Sequence, residues 1–257
     1  MTDFIPTPER QRQILTLIGR QGRLSVAEIV EQFSISEATA RRDLESLASQ
    51  GKVQRVHGGV MSLETAPPEL PILERKTEQV WEKERIGRAA ADLVPEGESV
   101  FLGSGTTVLE VARNLRDRRR LTVVTNSLPV LNMLAGQKEI SVISLGGMLR
   151  ESELSFIGHI TEQALAELRV DKAFMGTRGL SLEHGLTNDY LQETLTDRAI
   201  LKIGREVIIV ADHSKINRVS TALLAPLDAM NIFVTDPNAD KKFLQALKKK
   251  HIQVVVA

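Results

Sequence analysis

The chain contains no cysteine among its 257 residues. Disulfides, thiolate metal sites and a cysteine nucleophile are therefore excluded. It also has no net charge, with 33 Lys and Arg against 33 Asp and Glu, so bulk electrostatics single out no partner of one sign. Long apolar runs are missing too. The longest, residues 207–211 and 254–257, are strand-length, far below the roughly 20 residues that a membrane-spanning helix needs. Residues 1–6 hold neither a basic nor an apolar signal region, so no signal peptide is expected. The expectation is a cytoplasmic bacterial protein with no membrane partner. What remains is an ordinary globular composition, 42% apolar, over a length that suggests two domains.

Residues 7–62 read as a winged helix-turn-helix, with the helix-turn-helix itself at about 24–43. Thr7, Pro8 and Glu9 suit the start of a first helix, and Ile14, Leu15, Leu17 and Ile18 mark its apolar face. Ser25 and Glu28 have the spacing of a capping box. Val26, Ile29, Val30 and Phe33 then recur at i, i+3, i+4 and i+7. Ser36 suits the cap of a third helix whose apolar stripe is Ala40, Leu44 and Leu47. Glu37, Thr39, Arg41 and Arg42 lie off that stripe, where arginine can meet guanine acceptors or phosphate oxygens. A strand-like run over 52–56 and the turn His57-Gly58-Gly59 supply the wing. Such a unit commonly places its recognition helix in the major groove of double-stranded DNA. The candidate DNA contacts are Ser36, Glu37, Thr39, Arg41, Arg42, Arg55 and His57. The first sixty residues carry only eight Lys and Arg against seven Asp and Glu. Binding must then rest on local arginine placement and on two copies acting together.

Residues 63–77, with Pro67, Pro68 and Pro71, read as a stiff extended linker. From about residue 78 a helix resumes, with Ile86, Ala89, Ala90 and Leu93 on one face. Beyond Pro95, strand-like runs at 99–102, 121–125, 140–145, 173–175, 206–211, 232–235 and 252–256 alternate with helical patterns at 107–115, 128–135, 161–168, 191–203 and 241–249. This is an α/β domain over 78–257, a mostly parallel sheet with helices on both faces. Ligands of such sheets bind beyond the carboxyl ends of the strands. Polar residues and glycines gather there, in Gly103-Ser104-Gly105-Thr106-Thr107, Thr125-Asn126-Ser127, Gly146-Gly147-Met148-Leu149-Arg150 and Asp212-His213-Ser214-Lys215. The first of these opens a helix whose free N–H groups suit an anion. A lysine, an arginine, hydroxyls and helix starts on one crevice describe a site for a phosphorylated, hydroxyl-rich small molecule.

These residues resemble the DeoR-type transcriptional regulators. Over residues 8–60 the likeness is carried by Glu9-Arg10, by Ser36, Thr39 and Arg41-Arg42-Asp43-Leu44, and by Gly51-Lys52-Val53-Gln54-Arg55-Val56-His57-Gly58-Gly59-Val60. Ala40 departs from the usual β-branched residue, which should alter packing more than recognition. Over about 75–250 it is carried by Ser104 to Thr107, Thr125 to Ser127, Gly146-Gly147 with Arg150, Asp171 with Phe174 and Gly176, Gly185, Glu193, and Asp212 with Ser214-Lys215. The resemblance implies a Rossmann-like sensor domain similar to ribose-5-phosphate isomerase. It implies a homo-oligomer, dimer or tetramer, that represses a sugar or sugar-alcohol utilisation operon and is released from operator DNA by a phosphorylated sugar or sugar-alcohol effector. The implied effector-binding residues are Ser104, Gly105, Thr106, Thr107, Asn126, Ser127, Gly147, Arg150, Asp171, Glu193 and Lys215. Of these, the 105–107 turn and Lys215 would hold the phosphate, and Asn126, Arg150, Asp171 and Glu193 the hydroxyls. No cofactor and no metal are implied.

Two other functions compete. An isomerase fused to a DNA-binding domain could use Glu193 as its base. The isomerases, however, carry an acidic run and then a lysine after the strand corresponding to 173–175. Here the chain reads Gly176-Thr177-Arg178-Gly179 and then His184-Gly185-Leu186-Thr187, so an enzyme is not expected. An architectural DNA-binding protein would use the larger domain only to oligomerise.

Overall fold

The structure, a computed structural model, describes residues 5–21, 23–50, 52–56, 58–62 and 70–257. The chain divides into two compact units, residues 1–69 and 70–257.

In the first unit, helices α1 (Thr7–Gln21), α2 (Val26–Phe33) and α3 (Glu37–Ser49) pack with an antiparallel sheet of β1 (Arg23–Ser25), β2 (Val53–Val56) and β3 (Gly59–Ser62), in the order β1-β3-β2. The helix starts are set locally. Glu28 N donates to Ser25 Oγ at 3.1 Å while Ser25 N donates to Glu28 Oε2 at 2.7 Å, completing the capping box. Helix α2 stops at Ser34, which takes a left-handed φ of 51°, and Ser36 Oγ caps α3 by accepting from Thr39 N at 3.2 Å. The apolar stripes meet in a core that includes Ile14, Ile18, Leu24, Ile29, Ala40, Leu44 and Leu47. A buried ion pair joins the first helix to the third: Arg10 Nε donates to Asp43 Oδ2 at 2.6 Å, and Gln11 Nε2 to Asp43 Oδ1 at 3.2 Å. Arg10 and Asp43 thus fix the packing of α3 rather than its outer face.

The second unit opens with α4 (Ile72–Arg75) and α5 (Val80–Ala91). It continues through β4 (Ser99–Leu102), α6 (Thr106–Leu115), β5 (Leu121–Thr125), α7 (Leu128–Leu134), β6 (Ile140–Ser144), β7 (Met148–Arg150) and β8 (Ser155–Ile157). Then come α8 (His159–Ala166), β9 (Val170–Met175), β10 (Gly179–Ser181), β11 (Gly185–Asn188), α9 (Leu191–Ile203) and β12 (Gly204–Val210). Strands β13 (Ala222–Ala225) and β14 (Ile232–Thr235), helix α10 (Lys241–Lys249) and β15 (Gln253–Val256) complete it. Seven parallel strands form the central sheet in the order β15-β14-β12-β9-β4-β5-β6. Alternate residues feed two cores, as the strand period requires. Val100, Leu102, Val123, Phe174, Ile208 and Val210 pack with α5, α6 and α7. Phe101, Val124, Ala173, Met175 and Ile209 pack on the other face, where α8, α9 and α10 contribute Leu165, Ile200 and Phe243.

The chain builds outward from β4 through β5 to β6, then returns to the other side of β4 with β9. The carboxyl ends of β4 and β9 therefore flank the topological switch point, where open parallel sheets make their ligand crevice. The sequence pattern did not show a β7–β8 hairpin or a small antiparallel sheet in the order β10-β11-β13. These strands are three or four residues long, and most of them mix polar residues or glycine into their runs, without the continuous β-branched stretches that mark the central sheet. Residues 71–77, read from the sequence as extended linker, instead carry α4 and belong to the second unit. No helix among the described residues is long and apolar enough to cross a membrane.

Candidate functional site

The first unit presents one polar face. Arg41 and Arg42 are exposed on α3, and Arg41 forms an ion pair with Glu37 one turn earlier, Nη2 to Oε1 at 2.6 Å. Arg55, from the wing strand β2, reaches the Arg41 carbonyl at 3.5 Å. The wing and the third helix thus bring Arg41 and Arg55 to one surface. Ser36 and Thr39 share a hydroxyl contact of 2.9 Å at the helix start, so their first task is to hold its geometry. His57 lies outside the described residues.

The second unit's site is built at the switch point. After β4, Gly105 adopts φ 109° and ψ 154° and opens α6 with no side-chain cap. That backbone angle favours glycine, and it leaves the first N–H groups of the helix available, with the positive end of its dipole. Ser104 and Thr107 are half-buried beside it and Thr106 is buried. Thr106 shares a cavity of about 700 Å³ with Lys83 of α5. Lys83 is only 6% exposed. Burial lowers its pKa, Asp212 opposes that shift, and the charge of Lys215 adds to it. Lys215, in the short 3-10 turn after β12, is shifted the same way, by burial first, against Asp212 and with Arg178 and Arg75 repelling it. Two desolvated lysines whose charges repel each other, one of them sharing a cavity with the uncapped helix start, have the chemistry to receive an anion.

An ion network adjoins it. Glu153 accepts from Arg75 Nη2 at 2.6 Å and from Arg178 Nη2 at 2.9 Å. Arg178 Nε lies 3.4 Å from Asp189 Oδ1, which is 3.8 Å from Arg150 Nη2. Arg150 pairs with Glu193 and stacks over Tyr190, 4.5 Å from the ring centre. Burial raises the pKa of Glu153 and of Glu193, in each case against the neighbouring arginine. Asp197, one turn beyond Glu193, is raised further by burial and then by the Glu193 charge. Carboxylates and guanidinium groups held this way can grip several hydroxyls.

Other expected contacts are used by the fold itself. Asp171 sits at the amino end of β9, where its Oδ2 accepts from Ser99 N at 2.9 Å and Ser99 Oγ at 2.6 Å. That serine hydroxyl, then the backbone N–H, holds its pKa low. Residue 171 is about 13 Å from the strand's carboxyl end at a rise of about 3.3 Å per residue, so the structure does not bring Asp171 to the crevice. Gly147, at φ 143°, is a packing residue, because a Cβ there would lie 2.2 Å from Thr161 Oγ1. Ser127 caps α7 by accepting from Val130 N at 3.4 Å. Asn126 is 2% exposed and donates to the Phe156 carbonyl at 3.0 Å. Asn126 Oδ1, however, is buried without a hydrogen-bond partner among the described residues, and Ser104 to Thr107 and Lys215 stand directly after the carboxyl ends of β4 and β12.

Four crevice residues were not anticipated: Arg75, Lys83, Glu153 and Arg178. Lys83 carried a signal. It stands three and seven residues before Ile86 and Ala90, on the buried stripe of α5, where a lysine needs a reason. Arg178 follows β9, beside the switch point. Arg75 was hidden by the proline-rich run before it, and Glu153 by a hairpin that periodicity does not show.

Family comparisons cover both units. Residues 10–66 match the DeoR-like helix-turn-helix domain and residues 78–237 the DeoR C terminal sensor domain. The glycerol-3-phosphate regulon repressor of Escherichia coli K12 is 35% identical over 246 residues, 96% of this chain and 97% of that protein. The transcriptional repressor AccR of Agrobacterium fabrum is 35% identical over 91% of each chain, and IolR of Bacillus subtilis is 31% identical over 96% and 98%. Among solved structures, ribose 5-phosphate isomerase A of Methanocaldococcus jannaschii matches at 23% identity and a TM-score of 0.38, over 52% of this chain and 53% of that one. With both family domains in the expected order and relatives about one-third identical along nearly the full length, the chain belongs to the DeoR family of transcriptional regulators.

Proposed function

We propose that this regulator represses a sugar or sugar-alcohol utilisation operon and that a phosphorylated sugar or sugar alcohol releases it from operator DNA. The observation that carries the reading is the pair Lys83 and Lys215, both desolvated, near the uncapped start of α6. A phosphate dianion relieves their repulsion and meets the helix dipole. The ion network of Arg150, Glu193, Arg178 and Asp189 supplies the hydroxyl partners. Its relatives agree in kind, since one is a glycerol-3-phosphate regulon repressor. Two copies, in a dimer or tetramer, would set their α3 helices on repeated half-sites. Effector and operator then oppose each other reciprocally.

The reading is of a sensor, not an enzyme. Glu193, the candidate base named from the sequence, is engaged by Arg150 and by Ser155 Oγ at 3.4 Å, which leaves it poorly placed to move a proton. The test joins two assays. A panel of sugar phosphates is screened for a rise in melting temperature, which reports binding to the folded state. The same compounds are then added to complexes with DNA upstream of the neighbouring genes. The expected result is one compound class that both stabilises the protein and releases the DNA. Stabilisation without any change in DNA affinity, or turnover of the sugar phosphate, would overturn it.

A further inference from the structure

We propose that residues 70–79 form a strap whose hold on the sensor unit is set by the charge in the crevice, so that an anion seated beside Lys215 loosens it. The proposal rests on the effector site argued above and adds its route of transmission.

Three polar ties fasten this segment. Ile72 N donates to the Ser152 carbonyl at 2.8 Å. Arg75, 7% exposed, donates to Glu153. Lys83 Nζ reaches back to the carbonyl of Arg75 at 2.8 Å. The strap has little strength of its own, because α4 is four residues long and a single helical turn does not persist alone in water. Its exposed side chains include Leu70 and Leu73. Upstream of residue 70 the chain runs to the helix-turn-helix, so whatever frees the strap lengthens the tether of the DNA-binding unit.

Two of the ties end on groups that also answer to the crevice. Lys83 is repelled by Lys215 and attracted by Asp212. Glu153 is shared between Arg75 of the strap and Arg178 of the crevice wall. A phosphate dianion is a better acceptor for Lys83 than a neutral carbonyl, because it adds the attraction of opposite charges to the hydrogen bond. When Lys83 turns to the anion, the Arg75 carbonyl keeps only the Glu78 N–H, at 3.2 Å, and the strap loses the tie that closes α4 onto α5. The negative charge that the effector brings is thereby read as slack in residues 70–79.

Hydrogen exchange of the Ile72 amide in the full chain tests this, with Val123 of the central sheet as the folding control. Inorganic phosphate is the probe, at a concentration that raises the melting temperature. Ile72 exchange is expected to quicken about tenfold while Val123 stays protected. Two variants ask the same question without ligand. Lys215→Glu places a negative charge at the anion site and should quicken Ile72 exchange about tenfold. Lys215→Met removes the repulsion on Lys83 and should slow it about threefold. Opposite shifts in the two variants uphold the strap, and equal or unchanged rates overturn it. If phosphate raises the melting temperature and Ile72 does not respond, the strap falls and the effector site stands. If phosphate does not raise the melting temperature, the effector site loses its support, and the two variants still decide the strap. Should Lys215→Glu lose Val123 protection, Lys215→Met alone decides, and a rate unchanged or faster than wild type is the overturning result.

Discussion

The two units use arginine in opposite ways. In the helix-turn-helix unit Arg41, Arg42 and Arg55 stand in solvent, and the buried charge described there is the pair Arg10 and Asp43. In the sensor unit Arg75 and Arg178 lie inside a network with Glu153 and Asp189, with Arg150 and Glu193 beside them. The outer arginines are exposed, with contacts no deeper than a surface ion pair and a helix carbonyl, so they can trade water for phosphates and bases. The inner ones are paired with carboxylates within a packed α/β domain. Binding a large polyanion needs charge that protrudes, and binding a small anion with hydroxyls needs charge that is already desolvated and oriented.

The largest expected effect tests the exception in the first unit. Asp43→Ala leaves Arg10 buried without its partner, and breaking such a pair costs about 3–5 kcal/mol. Chemical denaturation of the full chain should show the first unit unfolding early, with operator binding lost as a consequence. Retained stability would mean that Arg10 finds solvent, and that the two units differ less than their burial suggests. Lys215→Ala acts on the other side of the comparison. The stabilisation by phosphorylated sugars should fall by about 1.5–3 kcal/mol, the range for hydrogen bonds to charged groups. The ligand-free melting temperature should move less than the ligand-induced stabilisation, because burial and the charges of Arg178 and Arg75 both work against the charged lysine. Calorimetry and thermal melting check the two halves, and such a variant should repress without being induced.

Arg42→Ala should weaken operator binding by about 1–3 kcal/mol if it reads a base, and uniformly across sequences if it meets phosphate. Its melting temperature should stay within error of wild type, and gel retardation at two salt concentrations separates the two contacts. A smaller effect comes from pH. Both lysines have folded pKa values below the ordinary 10.5. Between the lowered values and 10.5 the unfolded chain holds more protons, so ligand-free stability rises with pH across that window. Anion binding favours protonated lysine, so affinity for inorganic phosphate should fall across the same window. Isothermal titration from neutrality upward measures it, and a flat profile would remove the lysines from the anion site.

The same contrast explains what could be read in the sequence. The exposed face of α3 was legible because Ala40, Leu44 and Leu47 define a stripe and everything off it points outward. The sheet was legible because each strand alternates between two cores. The crevice was half legible. Gly105 and Lys215 sit in loops that directly follow strands, so strand prediction locates them. Asp171 shows the limit of carrying a residue over by resemblance: it stands at the amino end of β9, whereas parallel sheets bind ligands beyond the carboxyl ends of their strands. Glu153 joins residues 75 and 178 across the unit, and no local pattern encodes that meeting.

The smallest effect probes the outer face itself. Glu37 and Arg41 form an exposed ion pair one turn apart, which supports an isolated helix by only about 0.3–0.5 kcal/mol. Glu37→Ala should therefore leave the melting temperature almost unmoved. It also takes one negative charge from a face that meets phosphates, and it unties the Arg41 guanidinium. Non-specific DNA affinity should rise, and the slope of log affinity against log salt should steepen by up to about one if Arg41 gains a phosphate. Affinity for the operator should rise less, or fall, if Glu37 accepts from a cytosine amino group there. The ratio of the two affinities thus reports whether Glu37 tunes Arg41 for specificity or only supports α3. An unchanged ratio, with slope and affinity both unmoved, would mean that the pair is a surface ornament of the helix and that recognition lies with Arg42 and the wing.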